Sequence, residues 1–195
     1  MYKRIEISIK GVAPLITHNG QLADPMNEWT KAIAAISSKG KAMTDADRIE
    51  MGRLEFFGGL YLHEGAPCIP GVNIESLILA GAKKSKMGPQ FKAGLICDGY
   101  FPLEYAGPKD PTKMWECGRF KHYCRVKLNG KSTVNRTRPI FHEWALKFVV
   151  QYLDSVIKSR DSVVKAIGEA GMIVGLGDYK PRFGRFEVVE SKLMD

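Results

Sequence analysis

The chain has 195 residues, 45% hydrophobic and 26% charged, which suits one domain with room for an insertion and supplies enough apolar material for a core. Its 29 Lys/Arg against 21 Asp/Glu leave a net charge of +8 and a pI of about 9.3, which favours an anionic partner: nucleic acid first, a membrane surface second. No apolar run of about 18 residues exists to span a bilayer, and MYKRIEISIK lacks the apolar stretch of a signal peptide, so the expected location is the cytoplasm, where the four cysteines stay reduced.

Ile5, Ile7 and Ile9 alternate with Glu6, Ser8 and Lys10, a half-buried strand. The apolar phase then flips to Val12, Pro14 and Ile16, and Gly11 at the flip predicts a bulge. THNGQLADP reads as a loop. Residues 26–39 and 45–55 read as helices, the second capped by Thr44 with Asp47 three positions on. FFGGLYLH (56–63) reads as a strand. A tight turn at Pro70-Gly71 feeds a helix whose Ile74, Leu77, Ile78 and Ala82 keep helical spacing. Residues 94–106 read as a strand. Trp144, Leu146, Phe148, Val150 and Tyr152 alternate as another. A helix over 160–170 buries Val163, Val164, Ile167 and Ala170, with Gly171 as its expected stop. The Gly-rich GLGDYKPRFGRF leads to a final strand, FEVVE.

Reduced to its frame, this order is β-α-β followed by β-α-β. It predicts an α+β, ferredoxin-like (RRM-like) core in a single domain over 1–195. The elaborations are a helical insertion at about 20–55 and a protruding basic hairpin at about 119–141.

Three basic clusters are candidate nucleic-acid contacts. The stretch RFKHYCRVKLNGKSTVNRTR carries Arg119, Lys121, Arg125, Lys127, Lys131, Arg136 and Arg138 with no Asp or Glu, and its Asn129-Gly130 is a hairpin turn signal. Edge protection of a strand needs one or two charges, and like charges facing across a hairpin cost stability, so an anionic partner is expected to offset that cost. The second cluster is Lys83, Lys84 and Lys86, with Lys92 beyond; no acid lies between Ser76 and Cys97, although cations also suit a helix C-terminus. The third is the Gly-rich loop. Gly177, flanked by Gly175 and Gly184, lets backbone N–H groups approach a phosphate; Lys180, Arg182 and Arg185 add charge, and Tyr179 and Phe183 offer stacking rings. Asp178 in that loop is expected to pair with a nearby arginine. No GK[ST] follows, so this is not a Walker loop, and no strand-to-helix step makes it a dinucleotide fingerprint. His18 and Asp24 are single polar residues in a loop, Asp24 opening an Asp-Pro turn. Cys117, His122 and Cys124 match no common zinc spacing. No cofactor and no metal are expected.

Three segments in this order, GVAPLITHNG, CIPGVNIESLILAGAKK and IVGLGDYKPRFGRFEVV, resemble the RAMP superfamily, the RNA-binding backbone and processing proteins of CRISPR systems. They frame nearly the whole chain, which is also similar to phage-encoded relatives of that fold. Where the family reads IPGSSLKGALR, this chain places Glu75 and Leu79 at the usual Lys and Arg. The resemblance implies that the basic hairpin lies over a strand of nucleic acid like a thumb, with copies side by side as an oligomer or helical filament. It also implies where cleavage would reside if present, at His18 as general base or Asp24 as acid. The expected function is non-enzymatic, largely sequence-independent binding of single-stranded RNA or DNA. The alternatives are an endoribonuclease of the same fold and a phage factor acting by protein–protein contact with a CRISPR-type complex.

Overall fold

The computed structural model describes residues 1–128 and 132–194. In chain order the elements are β1 (Tyr2–Gly11), β2 (Leu15–Ile16), α1 (Glu28–Ser37), α2 (Asp45–Gly59), β3 (Leu62–His63), β4 (Ala66–Pro70), α3 (Gly71–Lys84), α4 (Gly88–Gly94) and β5 (Leu95–Ile96). They continue with β6 (Tyr100–Glu104), α5 (Pro111–Cys117), β7 (Lys121–Leu128), β8 (Ser132–Phe141), β9 (Ala145–Leu153), α6 (Arg160–Ile173) and β10 (Phe186–Met194). Two compact units result. One comprises Met1–Leu15, Leu62–Ala106 and Phe141–Asp195; the other comprises Ile16–Tyr61 and Gly107–Ile140.

The first unit is α+β with an antiparallel sheet in the order β10–β1–β9–β6–β4–β3, to which β5 adds by pairing with β9. Four consecutive strands, β10–β1–β9–β6, with α3 and α6 as the two crossover helices, are the ferredoxin-like arrangement. Alternation decides which face is core. Ile5, Ile7 and Ile9 of β1 and Leu146, Phe148, Val150 and Tyr152 of β9 are all buried, whereas the intervening Lys10 and Lys147 are exposed. α3 contributes Ile74, Leu77 and Ile78, and α6 contributes Val163 and Ile167. The two helices touch closely at Gly81, where a Cβ would lie 2.7 Å from that of Ala170. Burial pushes the Cys68 thiol up to about 11 and the Cys97 thiol to about 12, so both are inert packing groups. Glu75, at the position where the RAMP pattern has Lys, accepts from the Cys97 N–H at 3.1 Å and fastens α3 to the chain entering β6.

The second unit packs α1, α2 and α5 with the three-stranded sheet β2–β8–β7. Its α2 begins with the expected capping box, Thr44 and Asp47 bonding reciprocally. Lys39 and the two Thr44 hydrogen bonds hold the half-buried Asp47 carboxyl down to about 2.

Several expectations are corrected. Residues 56–59 are the last turn of α2 rather than a strand, and only Leu62–His63 is extended. Gly58 packs there against Leu22 and Trp29, a close helix contact that overrides the poor helix propensity of a Gly-Gly pair. The expected strand at 94–106 is broken into β5 and β6 and preceded by α4. The bulge falls between Ser8 and Ile9 against β10, not at Gly11, whose N–H instead donates to the Trp144 carbonyl at 2.9 Å. Gly171 does not end α6. It lies inside the helix, where a Cβ would come 2.8 Å from the Phe186 ring, and the helix closes at Gly175, φ +82, whose N–H donates to the Ala170 carbonyl at 2.8 Å.

Two glycines of α6 should therefore behave oppositely. Gly171→Ala overpacks the α6–β10 contact and is expected to destabilise by about 1–3 kcal/mol. Gly168→Ala meets nothing within 4 Å and is expected to stabilise by up to about 1 kcal/mol. Denaturant midpoints of the two variants check this.

Candidate nucleic-acid interface

The basic stretch forms the expected hairpin. β7 and β8 pair antiparallel from Lys121↔Pro139 to Leu128↔Ser132; the turn signal Asn129-Gly130 and Lys131 lie outside the described residues. α5 delivers the chain into it. Asp110 caps α5, and Gly118 at φ +75 reverses the chain at its end. The Ile140 N–H donates to the Phe120 carbonyl at 2.9 Å and closes the hairpin base.

Strand alternation divides the cations of this hairpin between two faces. Lys121, Tyr123 and Arg125 share one face. Lys121 Nζ sits 4.2 Å over the Trp115 ring, which itself packs against Phe56 with centroids 5.4 Å apart. Arg125 is exposed, as is Arg119 just before the strand, and among the described residues no carboxylate forms an ion pair with either. Lys127 lies further along β7.

Arg136 and Arg138 take the other face, opposite Cys124 and His122. Arg136 donates to Glu55 Oε1 at 2.6 Å, and the Thr137 N–H donates to Glu55 Oε2 at 2.7 Å. The Glu55 side chain is only 7% exposed. Arg138 contacts His18 Nδ1, while the His18 carbonyl accepts from the Tyr61 hydroxyl at 3.1 Å. The expectation of a hairpin without compensating charge is thus corrected. No acid lies within the stretch, but α2 brings one to Arg136 from 81 residues away. The charge excess persists at larger scale. The second unit holds fourteen Lys/Arg against eight Asp/Glu, the first fifteen against thirteen, and segment 107–140 alone holds nine against two.

The other two clusters belong to the first unit. Lys83, Lys84 and Lys86 are exposed at the C-terminal end of α3, with Lys92 exposed on α4. The acid absent from their sequence neighbourhood is supplied by α6, where Glu169 accepts from the Ser85 hydroxyl. In the Gly-rich loop, Gly175, Gly177 and Gly184 all have φ between +72 and +82. The loop closes on itself through the Leu176 N–H to the Gly184 carbonyl, and it joins the end of β1 through the Gly184 N–H to the Pro14 carbonyl, both 2.8 Å. Two of the three resembling segments therefore meet there. Lys180, Arg182 and Arg185 project exposed from this closed loop. Tyr179 and Phe183 meet each other edge-on, 6.4 Å between centroids. Asp24 Oδ1 accepts from the Met26 N–H at 2.8 Å, the turn geometry expected of Asp-Pro.

Glu55 and Trp115 were not singled out from sequence. Glu55 carries no local signal, since its partners are more than 80 residues away.

No protein-family model and no curated protein matches the chain. Among solved structures, its fold is similar to a chain in the cryo-EM structure of the Type III-B Cmr-beta bound to cognate target RNA, with a TM-score of 0.53 and 12% identity. The alignment covers 100% of this chain and 61% of that one, so the chain spans about three-fifths of that neighbour's length. The likeness is one of fold.

Removing one partner of a buried ion pair leaves the other charge unmet. Arg136→Ala is expected to cost roughly 3 kcal/mol of stability, and Arg136→Ala combined with Glu55→Gln to recover part of it, a double-mutant cycle read by chemical denaturation.

Proposed function

We propose that the chain binds single-stranded nucleic acid without cleaving it, and that it belongs with the RAMP-type proteins that its three motifs resemble. The observation that carries this reading is the basic hairpin of segment 107–140, nine Lys/Arg against two acids, with Arg119 and Arg125 exposed. A folded element keeps such a field only at a cost in self-repulsion, which a phosphate backbone offsets. The fold it shares with a chain from an RNA-bound assembly supports the same reading.

The roles divide with the hairpin faces. Arg119, Lys121 and Arg125 neutralise phosphates, and the same role is proposed for Lys127 and Lys131. Arg136 holds the hairpin to α2 through Glu55, and Arg138 rests on His18. Lys83, Lys84, Lys86, Lys180, Arg182 and Arg185 supply further cationic surface on the first unit. Contacts of this kind read the backbone rather than base identity, which fits sequence-independent binding by copies arrayed along a strand. His18 is engaged by Arg138, and Asp24 is engaged in its turn, so neither is assigned chemistry.

The test is an affinity titration against salt with an unstructured oligonucleotide. If about five phosphates are neutralised, log K falls with log[salt] with a slope of roughly −3.5 for a single strand. Arg119→Ala together with Arg125→Ala should flatten that slope by about 1.4 and weaken all sequences alike. A salt-independent affinity sinks the proposal.

Cleavage is tested separately with end-labelled RNA, with and without Mg²⁺. No specific cleavage is expected, and His18→Ala and Asp24→Ala should leave binding within about twofold of the parent. Specific cleavage lost in either variant would establish the endoribonuclease reading instead.

A further inference from the structure

We infer that Tyr123 is a base-stacking residue, so that the hairpin selects strands with unpaired bases rather than any polyanion. The inference rests on the nucleic-acid reading above and adds to it the part of the ligand that the cations do not touch.

Tyr123 is 67% exposed in the middle of an ordered strand. Among the described residues of the second unit it is the large aromatic left open to solvent; the other exposed large apolar side chains there are Met26 and Ile49. The neighbouring aromatics are already covered. Trp115 lies beneath Lys121 and against Phe56, Phe57 lies beneath Arg53 with 5.3 Å to its centroid, and Trp29 stacks on Phe57 at 6.1 Å.

Position supplies the second observation. Lys121 and Arg125 stand two residues either side of Tyr123 on the same face of β7, each offset by roughly 6.8 Å. A ring flanked by two cations matches the chemistry of a nucleotide strand, whose base presents a π-face while the phosphates before and after it present charge. Directly across from Tyr123, Thr137 is 5% exposed and buried toward Gly52, so the ring has no cross-strand aromatic partner to explain it. A duplex hides its base faces, whereas phosphate contacts alone give no preference for single strands, the duplex carrying the denser charge. Preference for single strands should therefore reside in Tyr123 and affinity for the backbone in the arginines.

The experiment compares the parent chain with Tyr123→Val, which keeps a β-favouring side chain, and Tyr123→Phe, which keeps the ring. The ligands are an unstructured oligonucleotide, its duplex and an abasic strand of equal length, with a thermal melt of each protein. Tyr123→Val is expected to weaken single-strand binding by about 5- to 150-fold, with the salt slope, the melt, and duplex and abasic-strand affinities unchanged. Tyr123→Phe should stay within about twofold of the parent. Equal single-strand affinity of Tyr123→Val and the parent overturns the inference and leaves the phosphate clamp standing. So does a loss that appears equally on the abasic strand. A parent chain that binds none of the three ligands overturns the nucleic-acid reading itself, and this inference with it.

Discussion

A carboxylate that is 7% exposed survives only where its charge is met, and Glu55 meets both a guanidinium and a backbone N–H from consecutive residues of β8. That constraint orders the second unit. It fixes α2 against β8 at one register, because a slip of one residue would exchange Arg136 and Thr137 and leave the carboxylate facing the wrong groups. It also satisfies the Thr137 N–H, which would otherwise be a strand donor without an acceptor. Gly52, whose Cβ would come within 2.8 Å of the Thr137 hydroxyl, shows how tightly the helix is drawn in.

The same contact changes what the basic hairpin means. Seven cations on one stretch look alike in sequence, but those described in the sheet have different neighbours. Arg136 is paired with Glu55, and Arg138 contacts His18. Lys121, Tyr123 and Arg125 line the opposite face, and Arg119 precedes them exposed. Thr137 and Pro139, on the same face as Tyr123 and Lys121, pack against Gly52 and Gly59 of α2, so both faces of the hairpin base are seated on that helix.

The first unit follows a different logic. Its sheet is held by alternating aliphatic and aromatic rows, and its motifs are used for close packing. Gly71 opens α3 with its N–H donating to the Gly99 carbonyl at 2.7 Å, Gly81 brings α3 onto α6, and the Gly-rich loop folds back onto the end of β1. The segments CIPGVNIESLILAGAKK and IVGLGDYKPRFGRFEVV therefore have a structural account within this unit. Their departures from the family pattern fit that account: Glu75, in place of a cation, is used to hold the chain before β6.

Sequence alone determined the elements whose physics is local or strictly periodic. The alternation of Ile5–Ile9 and Leu146–Tyr152, the capping box at Thr44 and Asp47, the Pro70-Gly71 helix start and the pairing of the basic hairpin all follow from side-chain period or a few neighbouring hydrogen bonds, and with them the α+β, ferredoxin-like order. Tertiary structure decided what depends on partners far along the chain. It turned FFGG into the end of a helix, because Gly58 is needed where Trp29 and Leu22 press in. It moved the end of α6 from Gly171 to Gly175, because Gly171 is pinned under Phe186. It set Glu55 beside Arg136, an encounter across 81 residues that no local pattern encodes, since burial and charge pairing are properties of the folded neighbourhood rather than of sequence spacing.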